Sequence, residues 1–274
     1  MPELPEVETI KRELKPLIIN RRIIGCEVLR KDIIGYPALN EFPQLLIGET
    51  ILDIQRRAKY LIFVLSNDKR LLFHLRLSGA IIVKNCNAEN NRFTRLVIRL
   101  DNCQINFDEP RALGRVYCLK NNEQPGVLKG FFKLSYEPIS PEYDFLYFKN
   151  KIAGRHAMIK SLLLDQRLCA GVGNIYSDEA LFHAGIRPTR KANSLKTEEL
   201  FSLLIALKKV LRTGIDEFGT TVSDYKRTDG KSGNFQKFLF VYDREGKTCK
   251  ICGRTIALVK IGNRSTRYCP GCQK

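Results

Sequence analysis

Four cysteines near the C-terminus have the spacing of a metal site. Cys249 and Cys252 form one CxxC pair, Cys269 and Cys272 form a second, and sixteen residues separate the two pairs. Two such pairs place four thiolates around one tetrahedral ion, and this ligand set favours zinc in a closed structural site. A redox dithiol or an iron–sulfur site is a distant alternative. Because so short a segment cannot build its own core, we expect one structural Zn²⁺ to hold it together.

The segment around these cysteines is strongly basic. Residues 244–274 carry eight lysines and arginines against one acid, Glu245, and the whole chain has a formal net charge of +17. A surplus of this size favours a polyanionic partner, and a basic zinc-bound hairpin is suited to gripping phosphates. Zinc ribbons also serve protein contacts, so the pattern indicates nucleic-acid binding without proving it.

A glycine-bearing segment, GVGN at 171–174, precedes a predicted helix. Backbone amides at such a helix start, together with the Asn174 side chain, form a natural anion site. A tight turn between packed helices explains the pattern equally well. In the preceding segment, Arg155, His156 and Lys160 either meet phosphates or lie on a solvated basic face.

The first residues, MPELPEVET, combine a proline with closely spaced glutamates, namely Glu3, Glu6 and Glu8. Proline and glutamate are ordinary in the first turn of a helix. Removal of Met1 would also leave a secondary amine at Pro2. A terminal amine titrates near ~8, so a neutral, nucleophilic fraction exists at physiological pH. By itself, the stretch favours the simpler interpretation, a helix start.

Two kinds of structure are predicted to position these residues. Apolar side chains at helical spacing predict a helix over 4–18. Short β-rich runs between 22 and 119, interrupted by one short helix near 38–47, predict an antiparallel sandwich or barrel. Further helices are predicted at about 142–150, 156–166, 175–184 and 197–217. The expected fold class is α+β and multidomain.

The expected domains are a catalytic β-sandwich over 1–132, a linker over 133–145, a helical domain over 146–242 and a zinc finger over 243–274. A polar loop at about 219–236 is too long to be a mere connector. The N-terminus lacks a secretory pattern and the apolar runs are too short for a bilayer. We therefore expect a cytoplasmic, nucleoid-associated monomer with no membrane partner.

With its motifs in this order, the sequence resembles the formamidopyrimidine-DNA glycosylase family over nearly its whole length. The matching stretches are PELPEVET, QRRAKYL at 55–61, HLRLSG at 74–79, EPRALG at 109–114, IKSLLLDQ at 159–166, GVGNIYSDEALF at 171–182, TDGKSGNFQ at 228–236, VYDREG at 241–246 and the four-cysteine finger. The resemblance implies an N-terminal β-sandwich with flanking helices, a helix–two-turn–helix domain and the finger, with double-stranded DNA crossing the cleft between the lobes.

The resemblance also implies a base-excision-repair activity that removes oxidised purines and cleaves abasic sites. It assigns the nucleophile to Pro2 and proton donation to Glu3, and Glu6 is expected to orient the site. Lys59 is similar to the family lysine that assists β-elimination, and Arg264 resembles the arginine tied to δ-elimination.

DNA contacts are implied for further positions, and two of them depart from the family pattern. Contacts to the DNA backbone are expected for His74, Arg155, Lys160 and Asn174, and a further DNA contact is expected for Tyr242. Family members insert three wedge residues, a methionine, an arginine and a phenylalanine, into the base stack that the extruded nucleotide vacates. Arg111 keeps the arginine, but Leu77 and Leu113 replace the methionine and the phenylalanine, and Phe93 stands where a histidine is usual. These changes leave open a preference for oxidised pyrimidines or abasic sites. A non-catalytic zinc-finger DNA-binding homologue is the other alternative.

Overall fold

The computed structural model of the protein describes residues 1–221, 228 and 231–274. The chain divides into two compact units: Met1–Phe132 with Phe218–Gly233, and Lys133–Glu217 with Asn234–Lys274. Parts of the expected loop over 219–236, residues 222–227 and 229–230, lie outside the described residues. No described helix is both long and apolar enough to cross a membrane.

The first unit is a β-sandwich with a helix at its N-terminus. Its helices are α1 (Leu4–Ile18), α2 (Phe42–Leu46) and α3 (Lys129–Phe132). Its strands are β1 (Ile23–Val28), β2 (Ile34–Tyr36), β3 (Ile51–Arg57), β4 (Tyr60–Leu65), β5 (Lys69–His74), β6 (Ala80–Asn85), β7 (Thr94–Leu100), β8 (Cys103–Asp108) and β9 (Arg115–Lys120). One sheet has the order β1-β7-β8-β6, and the other has the order β2-β9-β5-β4-β3.

Apolar residues from both sheets and from α1 form one core. The rings of Phe73 and Phe107, from β5 and β8, meet with centroids 5.6 Å apart. Val7, Ile10 and Leu14 of α1 are at most 1% exposed and belong to the same cluster. Each such buried side chain contributes about 2 kcal/mol of transfer free energy. This burial fixes the start of α1 against the sandwich.

Three turns of this unit carry predicted site residues. They connect β3 to β4, β5 to β6, and β8 to β9, and they contain Ala58, Arg76 and Ala112 with φ of 52°, 55° and 54°. A residue other than glycine is uncommon in this left-handed region and marks a constrained backbone. The backbone is therefore constrained at each of these three turns.

The second unit combines helices with a two-stranded hairpin. Its elements are α4 (Phe145–Ile152), α5 (Ile159–Leu164), α6 (Asn174–His183), α7 (Thr197–Asp216), β10 (Ala257–Ile261) and β11 (Arg264–Tyr268). The helices α6 and α7 approach so closely at Gly214 that a Cβ there would lie 2.5 Å from the Tyr176 ring. Buried Gln273 donates to the carbonyl of Ile186 at 2.9 Å and accepts from the amide of Cys269 at 2.7 Å. The chain end is thereby joined to the helices.

The observed elements confirm the predicted fold class, and the helix predicted over 4–18 is α1. One strand pair differs from the predicted antiparallel pattern, because β2 pairs with β9 in parallel. β2 has only three residues, too few for an alternating pattern. Its Gly35 leaves room for the Tyr117 ring, which a Cβ at that position would overlap.

Candidate active site

The N-terminus of α1 holds the predicted nucleophile and its acidic neighbours. Pro2 is buried, and Glu3 and Glu6 are 2% and 1% exposed. The Glu6 carboxylate accepts the backbone amide of Glu3 at 2.8 Å through Oε2 and that of Thr220 at 2.7 Å through Oε1. Each carboxylate oxygen therefore accepts one backbone amide, one at the helix start and one in the segment after α7. This fixes the residue that follows Pro2.

The segment at 218–221 approaches Glu6 so closely that it requires glycine. Gly219 has φ of +78°, and a Cβ there would lie 2.9 Å from Cγ of Glu6. A side chain at this position would be strained by its backbone and would also displace Glu6.

Lys59 lies in the β3–β4 turn and is 7% exposed. Arg56 donates to the carbonyl of Ala58 at 3.1 Å and to the Glu8 carboxylate on α1 at 2.9 Å. Burial alone would raise the pKa of Glu8, but hydrogen bonds from Lys11 and Arg56 outweigh it and lower that pKa. The ionised Glu8 thus connects α1 to the turn that presents Lys59.

His74, at the end of β5, is held as a neutral imidazole. Its Nδ1 accepts the amide of Arg76 at 3.2 Å, and the Tyr60 ring packs edge-on at 4.6 Å. Its pKa is lowered to about 3, first because burial disfavours the charged form and then because the cations of Arg76 and Lys59 act on it. With Nδ1 accepting, Nε2 carries the proton and can donate a hydrogen bond to an anion.

The three predicted wedge residues lie on the β5–β6 and β8–β9 loops. Leu77 is partly exposed, Arg111 is exposed and Leu113 is 43% exposed. Glu109, which is fully buried, accepts hydrogen bonds from both loops. Phe93, at the departure from the family pattern, is partly exposed with the Arg92 guanidinium 4.6 Å from its ring centroid.

In the second unit, α6 is joined to strand β11. The Asn174 side chain donates to the carbonyl of Ser265 at 2.8 Å, directly beside exposed Arg264. The Asp178 carboxylate accepts the amide of Arg267 at 3.0 Å. These two bonds bring Asn174 and Arg264, both predicted DNA-site residues, to one place.

Lys160 is fully buried. Its ammonium donates to Ser177 Oγ at 2.7 Å, to the carbonyl of Asn174 at 3.0 Å and to the Asp178 carboxylate. This position argues against the direct phosphate contact expected from the sequence, because a phosphate cannot reach an ammonium without solvent exposure. Lys160 instead supports the helix that carries Asn174.

The two remaining predicted contacts lie apart from Asn174 in sequence and environment. Exposed Arg155 donates to the carbonyl of Lys151 at 2.7 Å. The amide of Tyr242 donates to buried Glu179 at 2.8 Å, and the Arg267 guanidinium lies 4.9 Å from the Tyr242 ring centroid. Glu179 therefore helps to set the position of Tyr242.

The four cysteines of the finger form a cluster that could hold a metal ion. Their Sγ atoms all lie within 4.8 Å of one another, with 3.8 Å between Cys249 and Cys272 and 3.3 Å between Cys252 and Cys269. These separations exceed a disulfide bond, and a tetrahedral zinc site with Zn–S of about 2.3 Å requires sulfurs about 3.8 Å apart. Gly271 lies between the cysteines of the second pair, and a Cβ there would lie 2.8 Å from Cys252 Sγ. Only glycine therefore lets the second pair approach the sulfur of Cys252. The residues present fit a closed zinc site.

Several supporting residues were not predicted from the sequence. They are Arg56, Ser78, Glu109, Asp178, Glu179 and Gln273. Each forms hydrogen bonds with segments distant in sequence, and 31 positions separate Ser78 from Glu109. An acid at the end of an apolar strand, as in INFDEP, was the one local signal that could have suggested Glu109.

Comparisons with known proteins agree across the whole chain. Residues 1–116 match the formamidopyrimidine-DNA glycosylase N-terminal domain, 134–226 match the H2TH domain of the same enzymes, and 246–274 match a zinc finger found in FPG and IleRS. The chain is 42% identical to formamidopyrimidine-DNA glycosylase from Pelotomaculum thermopropionicum, covering 100% of this chain and 99% of that protein. The corresponding enzyme from Desulfitobacterium hafniense is 39% identical over 100% of both.

Solved structures of similar proteins also match this chain over nearly its whole length. Lactococcus lactis Fpg, in complex with DNA containing an abasic site, superposes with a TM-score of 0.91 at 33% identity over 99% of both chains. The MutM (FPG) protein from Thermus thermophilus superposes with a TM-score of 0.91 at 36% identity, over 99% of this chain and 98% of that one.

Proposed function

Because this chain belongs to the formamidopyrimidine-DNA glycosylase family, a family of DNA glycosylases and AP lyases acting in base-excision repair, we propose that it removes oxidised purines from double-stranded DNA. The proposed substrates are 8-oxoguanine and formamidopyrimidines. The observation that carries the proposal is the Pro2–Glu3 pair at the start of α1, where the Glu3 amide is held by Glu6 at 2.8 Å. A nucleophile needs a fixed position, and this bond supplies one.

The proposed reaction begins with removal of Met1, which frees the Pro2 amine. The neutral amine attacks C1′ of the damaged nucleotide, the bond from C1′ to the base breaks, and the base leaves with the proton that the Pro2 nitrogen gives up. Glu3 donates a proton to the sugar ring as it opens, which leaves an iminium between Pro2 and C1′. The iminium acidifies the C2′ protons. Loss of one expels the 3′-phosphate, and a second elimination expels the 5′-phosphate.

The remaining groups have proposed roles at the phosphates. Lys59 assists the first elimination and Arg264 the second. Neutral His74 donates from Nε2 to a phosphate oxygen, and Asn174 keeps the Arg264 turn in place. Arg155 and Tyr242 complete the proposed contacts to the DNA backbone. One Zn²⁺ per chain holds the basic finger, and the proposed active species is a monomer.

The wedge residues point to a second candidate for the lesion specificity. Leu113 is 43% exposed, and as a leucine it fills a vacated stack without the aromatic face that a phenylalanine would offer. This favours lesions that need less stacking support, namely oxidised pyrimidines and abasic sites. A panel of duplexes, each with one lesion, distinguishes the two specificities by their cleavage rates.

Borohydride trapping tests the chemistry. Protein whose intact mass shows loss of Met1 should form a covalent complex with abasic DNA, and protein retaining Met1 should not. Pro2→Gly should weaken trapping, whereas Pro5→Ala, a change in the first turn of α1, should retain it. If processed protein forms no covalent complex but still binds DNA, the chain is a non-catalytic DNA-binding homologue and the proposal fails.

A further inference from the structure

We propose that Glu109 is a positioning residue that fixes the two wedge loops relative to each other. The inference rests on the proposed function, because the wedge loops matter only if a nucleotide is extruded from duplex DNA. The first loop connects β5 to β6 and carries Leu77, and the second connects β8 to β9 and carries Arg111 and Leu113. Both loops cross from one sheet of the sandwich to the other.

The Glu109 carboxylate accepts hydrogen bonds from both loops. Oε1 accepts from the Ser78 hydroxyl and from the amide of Arg111 at 3.3 Å. Oε2 accepts from the amide of Leu113 and from that of Gly114 at 3.0 Å. Ser78 directly follows Leu77, so the donors include one wedge residue's neighbour and two wedge residues themselves. One side chain therefore holds all three proposed wedges.

Both loops also pack against the ring of Phe107. A Cβ at Gly79 would lie 2.9 Å from this ring, and a Cβ at Gly114 would lie 2.6 Å from it. The last residue of each loop thus packs against one buried ring. Because Phe107 is 1% exposed and lies in the main core, the loops rest on a rigid base.

A carboxylate is required by the number of donors. Four donors converge on the two oxygens of Glu109, which is fully buried. An amide offers only one acceptor oxygen and would turn its NH₂ group toward two N–H or O–H donors. Because the Ser78 hydroxyl can itself accept from this NH₂ group, Glu109→Gln breaks at least one hydrogen bond from a loop amide while it keeps the side chain's shape. A buried donor left unpaired is costly, so the loop on that side should move.

The test compares two substrates for each variant: a single-stranded oligonucleotide with one abasic site, and the same strand in a duplex. The chemistry is common to both, but only the duplex needs wedges to fill a vacated stack. Glu109→Gln should lower the ratio of duplex to single-strand cleavage rates by about tenfold. Leu113→Ala should lower this rate ratio by a smaller factor in the Glu109→Gln background than in the parent, because both changes act on the same wedge.

Glu49→Gln is the matched control. Glu49 is 5% exposed and likewise accepts from a serine, Ser66, and from Asn67 in the β4–β5 turn and Lys69 at the start of β5, none of which is a wedge. It should lower the melting temperature without changing the rate ratio. If Glu109→Gln does not fold, Ser78→Ala, which removes one donor, should lower the ratio severalfold.

Two results would overturn the inference. One is an unchanged ratio in folded Glu109→Gln, or in Ser78→Ala when the first variant does not fold. The other is an equal fall in Glu49→Gln. A parent protein that cleaves neither substrate refutes the proposed function, and this inference with it, whereas an active parent with an unchanged variant ratio refutes the inference alone.

Discussion

The Glu6 carboxylate accepts the backbone amide of Thr220, 214 positions along the chain, at 2.7 Å. The same carboxylate holds the amide of Glu3 at 2.8 Å. The segment after α7 is thereby connected to the residue beside the proposed nucleophile. A change in that segment should therefore alter the chemistry at Pro2 without altering the residues that perform it.

Gly219→Ala tests this connection. Its Cβ would lie 2.9 Å from Cγ of Glu6, at a backbone φ of +78°. We expect the rate of borohydride trapping to fall about tenfold or more, since small displacements of a nucleophile are costly. Gly48→Ala is the control: its φ is +92°, and its Cβ would lie 3.9 Å from the nearest neighbouring atom, Nη2 of the flexible Arg22 side chain. Equal trapping rates in the two variants would show that Glu6 does not transmit the change.

The pH dependence of stability should report on His74. Its pKa is lowered to about 3, first by burial and then by the cations of Arg76 and Lys59. An unfolded histidine titrates near ~6.5, so between these values the unfolded chain binds a proton that the folded chain does not. This lowers the stability as pH falls from ~6.5 toward 3 and has no effect above that window.

Denaturant unfolding at pH 7.5 and pH 5 measures this effect. Between these pH values the parent should lose about 2 kcal/mol relative to His74→Asn, which keeps an acceptor for the Arg76 amide. Exposed His156→Asn retains His74 and should lose stability as the parent does. An equal loss in the parent and in His74→Asn would mean that His74 titrates alike in both states.

Salt dependence separates the proposed phosphate contacts by charge. Arg264 is exposed and cationic, so Arg264→Gln should reduce the slope of log affinity against log salt by about 0.9. Neutral His74 releases no counterion, so His74→Asn should weaken binding and leave the slope unchanged. Binding to an abasic duplex, titrated by fluorescence anisotropy at several salt concentrations, measures both. A reduced slope in His74→Asn would show that a charged imidazolium meets the phosphate.

Local patterns predicted the elements and the metal ligands but not the supporting contacts. The apolar spacing of α1 and the two CxxC pairs are properties of short segments, so the sequence contains them directly. Glu109 depends on Ser78, 31 positions away, and Lys160 on Asp178, 18 positions away. A lysine in a basic segment suggests an exposed phosphate contact. Only the fold reveals that an aspartate from the next helix pairs with it in the interior.

The buried Lys160–Asp178 pair should be essential for stability. Both side chains have no solvent exposure, and Asp178→Asn would leave the Lys160 ammonium without its counter-charge. Breaking one side of such a pair costs about 3–5 kcal/mol. Asp165→Asn, which removes the partner of a 71% exposed Arg167, should cost less than about 1 kcal/mol. Denaturant unfolding of the two variants gives the comparison, and similar small losses would mean that Lys160 does not depend on Asp178.

Removal of zinc should abolish DNA binding through loss of the finger's structure. Cys249 contributes one of four Sγ atoms that lie within 4.8 Å of one another, and a hydroxyl at this position would replace one of the four thiolate ligands. Cys249→Ser should lower bound zinc from one ion per chain, measured by elemental analysis, and abolish binding to abasic duplex. Exposed Cys86→Ser, outside the cluster, should retain both. Normal DNA binding by zinc-free Cys249→Ser would show that the basic finger is not the phosphate clamp.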